Sequence, residues 1–509
     1  MSFRISGQTL GSGALLLNPI IMASPVINPT YWITDWIELL LKKVAQNKLG
    51  PTVTTRWLFL TTNVIYNSYQ FISSNKSPID SEYWTSNQKG KVSTDQNYLQ
   101  SFIEKACQYF IPILINTYIN PTHPLTQDEL NVLINKHKPL LNMTINQLKS
   151  FNSLKLLIDT YLSTRDSDGW KLTTTFDGTL PNGTNNIEVS DSKVDQDLGT
   201  LSEPDKWTPL SFNGVRKGYL TPEWGTNNKG ILGDDDFKEL LDNTYQLFPS
   251  ELQYENEMKD VKQITSNLTD EQKVTAEFWA GGPGTVTPPG MWVVFLDIVI
   301  RSNKLNYLKE LKYYTILCSS LYQSSICAWK IKREKMQARP IQKIRQYEYN
   351  NIISQDWNKE TLGQFWLPYQ ELNFVTPPFP DFVSGHSTFS MSSAKIFCYL
   401  FGTDSISLNN PVITNDMVSL LSPIITKTAN FSLNDVFIYP DTSLIHKTNE
   451  PSTAPSMIIN LNWNCWTDMA RSSGDSRIYG GIHVESSNKG GSSLGSIIAY
   501  KMWNLLKDI

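Results

Sequence analysis

Two stretches of the sequence combine cationic residues, serine, glycine and histidine at spacings suited to holding an oxyanion. In WKIKREKMQARP, Lys332 and Arg339 are seven residues apart, about two helical turns, so they share one face of a helix. In VSGHSTFS, Ser384 and Gly385 stand at a predicted helix start, where a hydroxyl and a glycine N–H form an anion cradle. His386 follows at the edge of this cradle. Such donors suit phosphate or a similar tetrahedral anion.

A third stretch, SRIYGGIHVESSNKGG, places Arg477 and His483 on either side of a glycine-rich bend. Each stretch alone has a plain structural explanation: a solvated basic helix end, an N-cap serine, and a turn before the last helix. Together they supply three cations and two of the five histidines in the chain. This set predicts that one imidazole attaches to the central atom of the anion while the other moves protons.

The composition narrows the classes of function. With 509 residues, 40% of them hydrophobic, and a formal net charge of -4, the chain can bury a large core and offers no broad basic face for nucleic acid. The five cysteines are scattered without CxxC spacing, which predicts free thiols. No apolar run is long enough to span a membrane, and the start of the chain lacks the basic segment of a secretory signal. We therefore expect neither a membrane span nor a secretory signal, and the sequence does not indicate the cellular compartment.

Hydrophobic periodicity predicts a mainly α protein. Fifteen tryptophans and 22 tyrosines predict a well-packed interior. Apolar residues recur at helical spacing in four long segments, and a proline at position 112 predicts a kink or break in the third of them. These segments are 31–47, 54–72, 97–119 and 307–337.

Two segments rich in Gly, Pro, Asn and Asp interrupt the helical pattern. Residues 169–233 and 403–470 predict loop-rich inserts with short strands, and a loop as long as the first is expected to be functional or to pack over a site. We therefore predict two helical bundles. The N-terminal helical region covers residues 1–265, and the C-terminal bundle covers residues 266–509 and carries the oxyanion site.

The three motifs, in this order, resemble those of the superfamily of vanadium-dependent haloperoxidases and type-2 phosphatidic acid phosphatases. The matching pieces are Lys332…Arg339-Pro340, Ser384-Gly385-His386 and Ser476-Arg477…Gly481-Ile482-His483. The stretches TPPFP, WKIK and EFWAGGPGTVTPPGMW are similar to the soluble haloperoxidase branch. The resemblance covers most of residues 50–509, apart from the insert at 403–470, and implies a helical-bundle haloperoxidase-like fold.

This resemblance implies a vanadate site built from five residues. Lys332, Arg339 and Arg477 would neutralise the vanadate oxygens, while the Ser384 hydroxyl and the Gly385 N–H would donate hydrogen bonds to them. Phosphate could occupy the same site. The resemblance implies neither haem nor flavin, and hydrogen peroxide with a halide, or a small phosphate ester, as substrates. Relatives of this type are often dimers or larger, which implies a homo-oligomer.

Four further residues take roles by the same resemblance. His483 would be the axial ligand of vanadium, and His386 would be the acid-base partner that helps to deprotonate hydrogen peroxide. Trp329 and Phe379 would line the halide side, as in chloroperoxidases. Plain core packing is the alternative explanation for these two aromatic residues.

The sequence departs from the family pattern at several positions. Val383 replaces the usual proline before Ser-Gly-His, and Met291 replaces a histidine. Gly281 stands where an aspartate pairs with the arginine in relatives, and Ser487 stands where an aspartate follows the ligand histidine by four residues. Glu485 is a poor substitute, because a residue two positions along the chain points elsewhere. The lost carboxylates weaken the phosphatase interpretation most and also bear on halogenation.

Three functions therefore stay open. The chain is a vanadate-dependent haloperoxidase that makes hypohalous acid, a soluble acid phosphatase that uses His483 as nucleophile and His386 as general acid, or a homologue that has kept the oxyanion cradle and lost turnover. The partners of Arg477 and His483 discriminate between them. If neither side chain contacts a carboxylate or a backbone carbonyl, the hypothesis of an inactive homologue is favoured.

Overall fold

A computed structural model of the chain describes most of residues 31–509, and within this span Tyr31–Ile509 forms one compact unit. Much of both inserts lies outside the described residues. Not described are residues 1–30, 74–77, 82, 85–89, 91, 120, 138–143, 169, 171–186, 190–204, 213–214, 227–229, 352–365, 372–373, 407, 409–410, 422–434 and 439–458.

The described residues form fifteen α-helices and five short strands, so the prediction of a mainly α fold is confirmed. The first nine helices are α1 Trp32–Gln46, α2 Pro51–Ser73, α3 Gln96–Ile113, α4 Gln127–Lys136, α5 Ile145–Asp166, α6 Asp234–Tyr245, α7 Glu251–Ser266, α8 Asp270–Phe278 and α9 Thr287–Ser302. The other six are α10 Tyr307–Lys335, α11 Pro340–Asn351, α12 Gly385–Phe401, α13 Asn415–Leu421, α14 Trp466–Tyr479 and α15 Glu485–Leu506.

The chain does not break at Pro112. The proline lies near the end of α3, and the helical path continues as a π-helical segment, Leu114–Ile119. Proline has no N–H to donate to the preceding turn, and the wider π geometry directly after it keeps the chain helical. The proline at position 112 therefore marks a change from α-helix to π-helix, and not the end of the helical path.

Both inserts contain short strands in the part that the structure describes. In the first insert, β1 Ile187–Val189 pairs in parallel with β2 Leu210–Phe212, which pairs antiparallel with β3 Val215–Lys217. In the second insert, β4 Asp435–Ile438 and β5 Ile459–Asn462 form an antiparallel pair. Each strand is only three or four residues long, which agrees with the weak strand signal in these segments.

The centre of the C-terminal half is α12, which packs against α9, α10, α14 and α15. Helix α15 can approach it closely because a Cβ atom at Gly491 would lie only 2.5 Å from the Ser384 carbonyl oxygen. At least nine tryptophan side chains in the described part of the chain are less than 2% exposed, which gives the predicted aromatic core its rigidity. The N-terminus of α12 is therefore held inside the protein.

The turn between α10 and α11 is fixed by the first insert. Met336 ends α10 in a left-handed conformation with a φ of 50°. The Trp207 N–H donates to the Met336 carbonyl at 2.6 Å, and the Ala338 N–H donates to the Asp205 carbonyl at 2.9 Å. These backbone bonds set the position of Arg339, which follows directly.

Helices from both predicted regions pack together, as α2 does against α10. The division of the chain at residue 265 stays a prediction. In the ranges that the structure describes, no helix combines the length and apolar character needed to cross a membrane.

A buried histidine between two carboxylates stabilises the N-terminal helices. His137 Nε2 lies 2.8 Å from Asp35 Oδ2, and His137 Nδ1 lies 3.1 Å from Glu104 Oε1. Burial disfavours the charged ring, but hydrogen bonds with Asp35 and Glu104 outweigh burial and raise the pKa of His137 to about 9. The imidazolium therefore links α1, α3 and the end of α4.

We expect this histidine to make stability fall at alkaline pH. Because the folded pKa exceeds the ordinary value of 6.5, the stabilisation is complete below pH 6.5 and is lost as the pH rises through about 9. Each unit of pKa difference corresponds to about 1.4 kcal/mol, so the rise from 6.5 to about 9 corresponds to a loss on the order of 3–4 kcal/mol. Denaturant unfolding at about pH 6 and about pH 10 measures it.

His137→Gln should be less stable at the lower pH and should lack this loss. His123→Gln is the matched control, because His123 is exposed. An unchanged pH dependence in His137→Gln would contradict the assignment.

Candidate oxyanion site

Lys332 lies in the last turn of α10 with its side chain fully buried. Its Nζ atom donates to the carbonyl oxygens of Pro380 at 2.7 Å and Asp381 at 2.8 Å. The lysine does lie at a helix end, as the structural explanation of this stretch predicts. Its side chain, however, points inward rather than into solvent. It anchors the loop that leads to Ser384.

Arg339 joins the first and third motifs. It is fully buried, and its Nε donates to the Phe379 carbonyl at 2.7 Å. Its Nη1 lies 2.6 Å from the Ile482 carbonyl and 3.0 Å from His483 Nε2. Its Nη2 is buried and has no hydrogen-bond partner among the described residues. One donor of this guanidinium is therefore available to a bound anion.

Ser384 is the N-cap of α12, and Gly385 is the first residue of this helix. The Ser384 Oγ accepts from the Ser387 N–H at 3.3 Å, and the Ser384 N–H donates to the Ser487 carbonyl at 2.9 Å. The capping explanation of Ser384 is thus correct, and it does not exclude the functional one. The same cap orients the positive end of the helix towards the loop that Lys332 holds.

Arg477 and His386 meet at the backbone carbonyl of Trp279, directly after α8. Arg477 Nη1 donates to this oxygen at 2.8 Å, and His386 Nε2 lies 2.8 Å from it. Because a carbonyl only accepts, this contact places the proton of His386 on Nε2, even though Arg477 Nη1 lies 3.2 Å from the same nitrogen. Nδ1 of His386 then carries the free lone pair. The Arg477 Nε is buried without a hydrogen-bond partner among the described residues.

His483 is held between a cation and a carboxylate. Its Nδ1 contacts Asp381 Oδ1, and its Nε2 faces Arg339 Nη1. A guanidinium has no acceptor atom, so Nε2 must be unprotonated, and the ring proton lies on Nδ1 and is donated to Asp381. The lone pair of Nε2 therefore points towards the cations.

The two aromatic residues predicted for the halide side lie beside these cations. The ring centroids of Trp329 and Phe379 are 4.9 Å apart. Lys332 Nζ lies 5.1 Å from the centroid of Phe379, and the guanidinium carbon of Arg339 lies 5.0 Å from it. Trp329 also donates from Nε1 to the Leu220 carbonyl at 2.9 Å. Both residues pack in the core and border the site, so the two explanations do not exclude each other.

The electrostatics of the site show an excess of buried positive charge. Burial lowers the pKa of Arg339 to about 10 and that of Arg477 to about 9, and Arg339 adds to the effect on Arg477. Burial and Arg339 lower the pKa of Lys332 well below its usual value. Burial and nearby cations also lower the pKa values of His386 and His483, so both imidazoles are neutral.

Asp381 is the carboxylate that the site uses, and sequence reasoning missed it. Burial raises its pKa to about 7, although Arg339 and Lys332 oppose the shift. Among the described residues, none of the three cations forms an ion pair with a carboxylate, and Arg339 and Lys332 act on Asp381 through their charge alone. Its only signal in the sequence was an acid three residues before Ser384.

The partners of Arg477 and His483 answer the question that the sequence left open. Arg477 has the Trp279 carbonyl in place of the aspartate lost at Gly281, and His483 has Asp381 although position 487 is a serine. The carbonyl could not be read from any side chain, because a backbone oxygen carries no sequence signal. These contacts therefore do not favour the hypothesis of an inactive homologue.

The residues present fit a tetrahedral or trigonal oxyanion. Three cations are buried here, and two guanidinium nitrogens, Arg339 Nη2 and Arg477 Nε, have no hydrogen-bond partner within the described part of the chain; a helix N-terminus adds its dipole. A bound anion would neutralise this excess. All nine residues predicted for the site lie in this cluster or on its border.

We expect Asp381→Asn to destabilise the protein by about 1–3 kcal/mol, because the amide is a weaker acceptor for the His483 N–H and places buried N–H groups beside Arg339 and Lys332, which offer no acceptor. Saturating phosphate should offset part of this loss, because a bound anion accepts hydrogen bonds from buried donors. Denaturant unfolding with and without phosphate measures both effects. Asp468→Asn is the control, because its ion pair with Arg471 is exposed and should contribute little. Equal effects of the two substitutions would contradict the role given to Asp381.

Comparison with known proteins bears on the fold. The family model of the VCPO second helical-bundle domain matches residues 312–509, which contain all three motifs. A search of curated proteins finds no match.

Solved structures with a similar fold include bacterial vanadium-dependent peroxidases. The first bacterial vanadium-dependent iodoperoxidase has a TM-score of 0.60 and 16% identity, over 94% of this chain and 97% of its own. A holo-type bacterial vanadium-dependent chloroperoxidase has a TM-score of 0.56 and 15% identity, over 91% of this chain and 94% of its own. The apo-type bacterial vanadium-dependent chloroperoxidase has a TM-score of 0.54 and 14% identity, over 94% of this chain and 95% of its own. Residues 312–509 thus match the second helical-bundle domain of the VCPO family, and the fold of the described chain is similar to that of bacterial vanadium haloperoxidases.

Proposed function

We propose that this protein binds vanadate in the oxyanion site and oxidises a halide with hydrogen peroxide. The observation that carries the proposal is the cluster of three buried cations around two neutral histidines, with a single carboxylate to offset the charge. The overall reaction consumes halide, hydrogen peroxide and one proton, and yields hypohalous acid and water. The match to vanadium enzymes supports this choice of anion.

His483 would hold the vanadium through Nε2. Asp381 accepts the Nδ1 proton and so fixes both the tautomer and the orientation of the ring, as carboxylates do for metal-bound histidines elsewhere. Lys332, Arg339 and Arg477 would hold the oxygens of the anion, with Ser384 and the Gly385 N–H as further donors. When bound, vanadate supplies a Lewis acid that activates hydrogen peroxide without a change of oxidation state.

His386 would accept a proton from hydrogen peroxide. Its Nε2–H is held by the Trp279 carbonyl, which leaves Nδ1 as the basic atom. Its lowered pKa keeps the ring neutral, and therefore able to accept, under ordinary conditions. The ring is half-buried, so it is within reach of small molecules from outside.

Trp329 and Phe379 would form the wall against which the halide is oxidised. Both are buried, and the Lys332 ammonium lies against the Phe379 ring. An apolar wall beside a buried cation suits a weakly hydrated monovalent anion. This arrangement gives the halide a place of its own next to the oxyanion.

A soluble acid phosphatase is the second candidate. The contact between Asp381 and His483 favours it, because a carboxylate that takes the Nδ1 proton also raises the nucleophilicity of Nε2. A phosphate ester would then occupy the same cradle, with His386 as the proton donor to the leaving group. The carboxylate missing at position 487 is therefore no argument against this chemistry.

We expect the vanadate-loaded protein to brominate monochlorodimedone with hydrogen peroxide. His483→Ala should lower the rate by about 100-fold or more, because it removes the atom that would hold the metal. His123→Ala, a change at an exposed histidine, should leave the rate unchanged. Equal rates for His483→Ala and wild type would contradict the role of His483.

Hydrolysis of para-nitrophenyl phosphate by the vanadate-free protein tests the second candidate. If haloperoxidase activity is the function, this hydrolysis should be negligible beside the bromination and should be inhibited by added vanadate. Phosphate release without any bromination would favour the phosphatase. Binding of vanadate without either activity would show a cradle that has lost its chemistry.

A further inference from the structure

Helix α7 presents two buried polar side chains to the segments that carry the oxyanion site. Tyr254 and Glu257 are three residues apart and therefore lie on one face of the helix. The Tyr254 hydroxyl donates to the carbonyl of Ala338, the residue before Arg339. The Glu257 carboxylate contacts the start of α15, which follows His483. One face of α7 thus supports the first and the third motif together.

Glu257 caps the N-terminus of α15 from another helix. This helix begins at Glu485, and Val484 at its N-cap makes no side-chain capping bond. Ser486 is the second residue of the helix, so its N–H has no partner inside α15. Glu257 Oε2 accepts from this N–H at 3.2 Å and from the Ser486 hydroxyl at 2.7 Å. Gln253 Nε2 donates to Glu257 Oε1 at 3.0 Å and so helps to orient the carboxylate.

The turn that Glu257 caps is joined to two groups of the oxyanion site. His483 lies directly before the N-cap residue of α15. The Ser487 carbonyl, in the first turn, accepts from the Ser384 N–H at 2.9 Å and ties the start of α15 to the start of α12. A displacement of this turn would therefore move His483 relative to Ser384.

We propose that Glu257 is a positioning residue of the oxyanion site, which keeps His483 and Ser384 in place by capping α15 from α7. It acts through Ser486 and the first turn of α15. The inference rests on the proposed function, because it assumes that His483 and Ser384 bind the anion. It also assigns a determinant of anion affinity to a residue outside 312–509, the range that contains all three motifs.

The reach and the charge of Glu257 predict opposite effects on anion binding. Burial is the main cause of the raised pKa of Asp381, and the negative charge of Glu257 adds to it. This charge is thus close enough to the site to repel an anion. Loss of the charge alone should tighten anion binding, whereas loss of the cap should weaken it.

Two substitutions separate these effects. Glu257→Asp keeps the charge and shortens the side chain by one methylene, so that it no longer reaches Ser486. We expect orthovanadate and inorganic phosphate each to bind about fivefold more weakly to this variant, because part of the binding free energy must then order the start of α15. Isothermal titration calorimetry of the full chain measures the dissociation constants.

Glu257→Gln keeps an oxygen at the same reach and loses the charge. Gln253 is exposed and can turn its amide to match the new side chain. We expect this variant to bind both anions at least as tightly as the wild type. Thermal unfolding shows whether each variant is folded. Should Glu257→Asp not fold, Ser486→Ala removes one of the two donors, and its binding should be about twofold weaker.

Glu310 provides the matched control, because it caps α1 in the same way. The N-cap residue of α1 makes no capping bond with its side chain. Glu310 Oε1 accepts from the Thr34 N–H at 2.7 Å and from the Thr34 hydroxyl at 2.6 Å. Glu310 and Lys332 lie near opposite ends of α10, roughly 30 Å apart along the helix. Glu310→Asp should therefore lower the unfolding temperature and leave both dissociation constants unchanged.

The outcomes distinguish the inference from the function on which it rests. Weaker binding in Glu257→Asp, without a loss in Glu257→Gln or Glu310→Asp, supports the inference. Unchanged or tighter binding in Glu257→Asp, weaker binding in Glu257→Gln, or an equal loss in Glu310→Asp overturns the inference and leaves the proposed function standing. If Ser486→Ala has to replace Glu257→Asp, unchanged binding in it overturns the inference likewise. No binding of either anion by the wild type overturns both.

Discussion

The burial of three cations around one carboxylate is the constraint on which the rest of this structure depends. An isolated buried charge is costly unless it is paired or hydrogen-bonded. Here the hydrogen bonds come mainly from backbone carbonyls, those of Pro380 for Lys332, Ile482 for Arg339 and Trp279 for Arg477. The carbonyl dipoles orient the cations without cancelling their charge. An anion that enters the site therefore meets donors already in place, which is the main requirement for strong binding of a charged group.

These carbonyls can serve only because rigid helices hold their loops. Helix α12 starts inside the protein, α10 and α14 carry Lys332 and Arg477, and the loop between α14 and α15 carries His483. The first insert adds the backbone bonds that fix the turn before Arg339. A segment that looks like a mere connection in the sequence is therefore part of the support of the site.

The carboxylate beside His483 has a different origin in the chain from the one expected for the superfamily. Asp381 comes from the loop before α12, whereas position 487 holds a serine whose hydroxyl helps to keep the Asp381 pKa from rising further. The ring nitrogen of His483 that faces away from the anion needs a carboxylate beside it. That carboxylate can come from different positions in the chain. The same holds for Arg477, where a carbonyl oxygen takes the place of a carboxylate oxygen.

The sequence by itself determined which side chains can bind an oxyanion. The three motifs, the helix start at Gly385 and the helical periodicity of α10 are local patterns, and local patterns follow from residue type and spacing. The tertiary structure alone decided the partners: the Trp279 carbonyl for His386 and Arg477, and the Asp381 carboxylate for His483. These partners are distant in the sequence or belong to the backbone, so only the packing of helices around α12 brings them together.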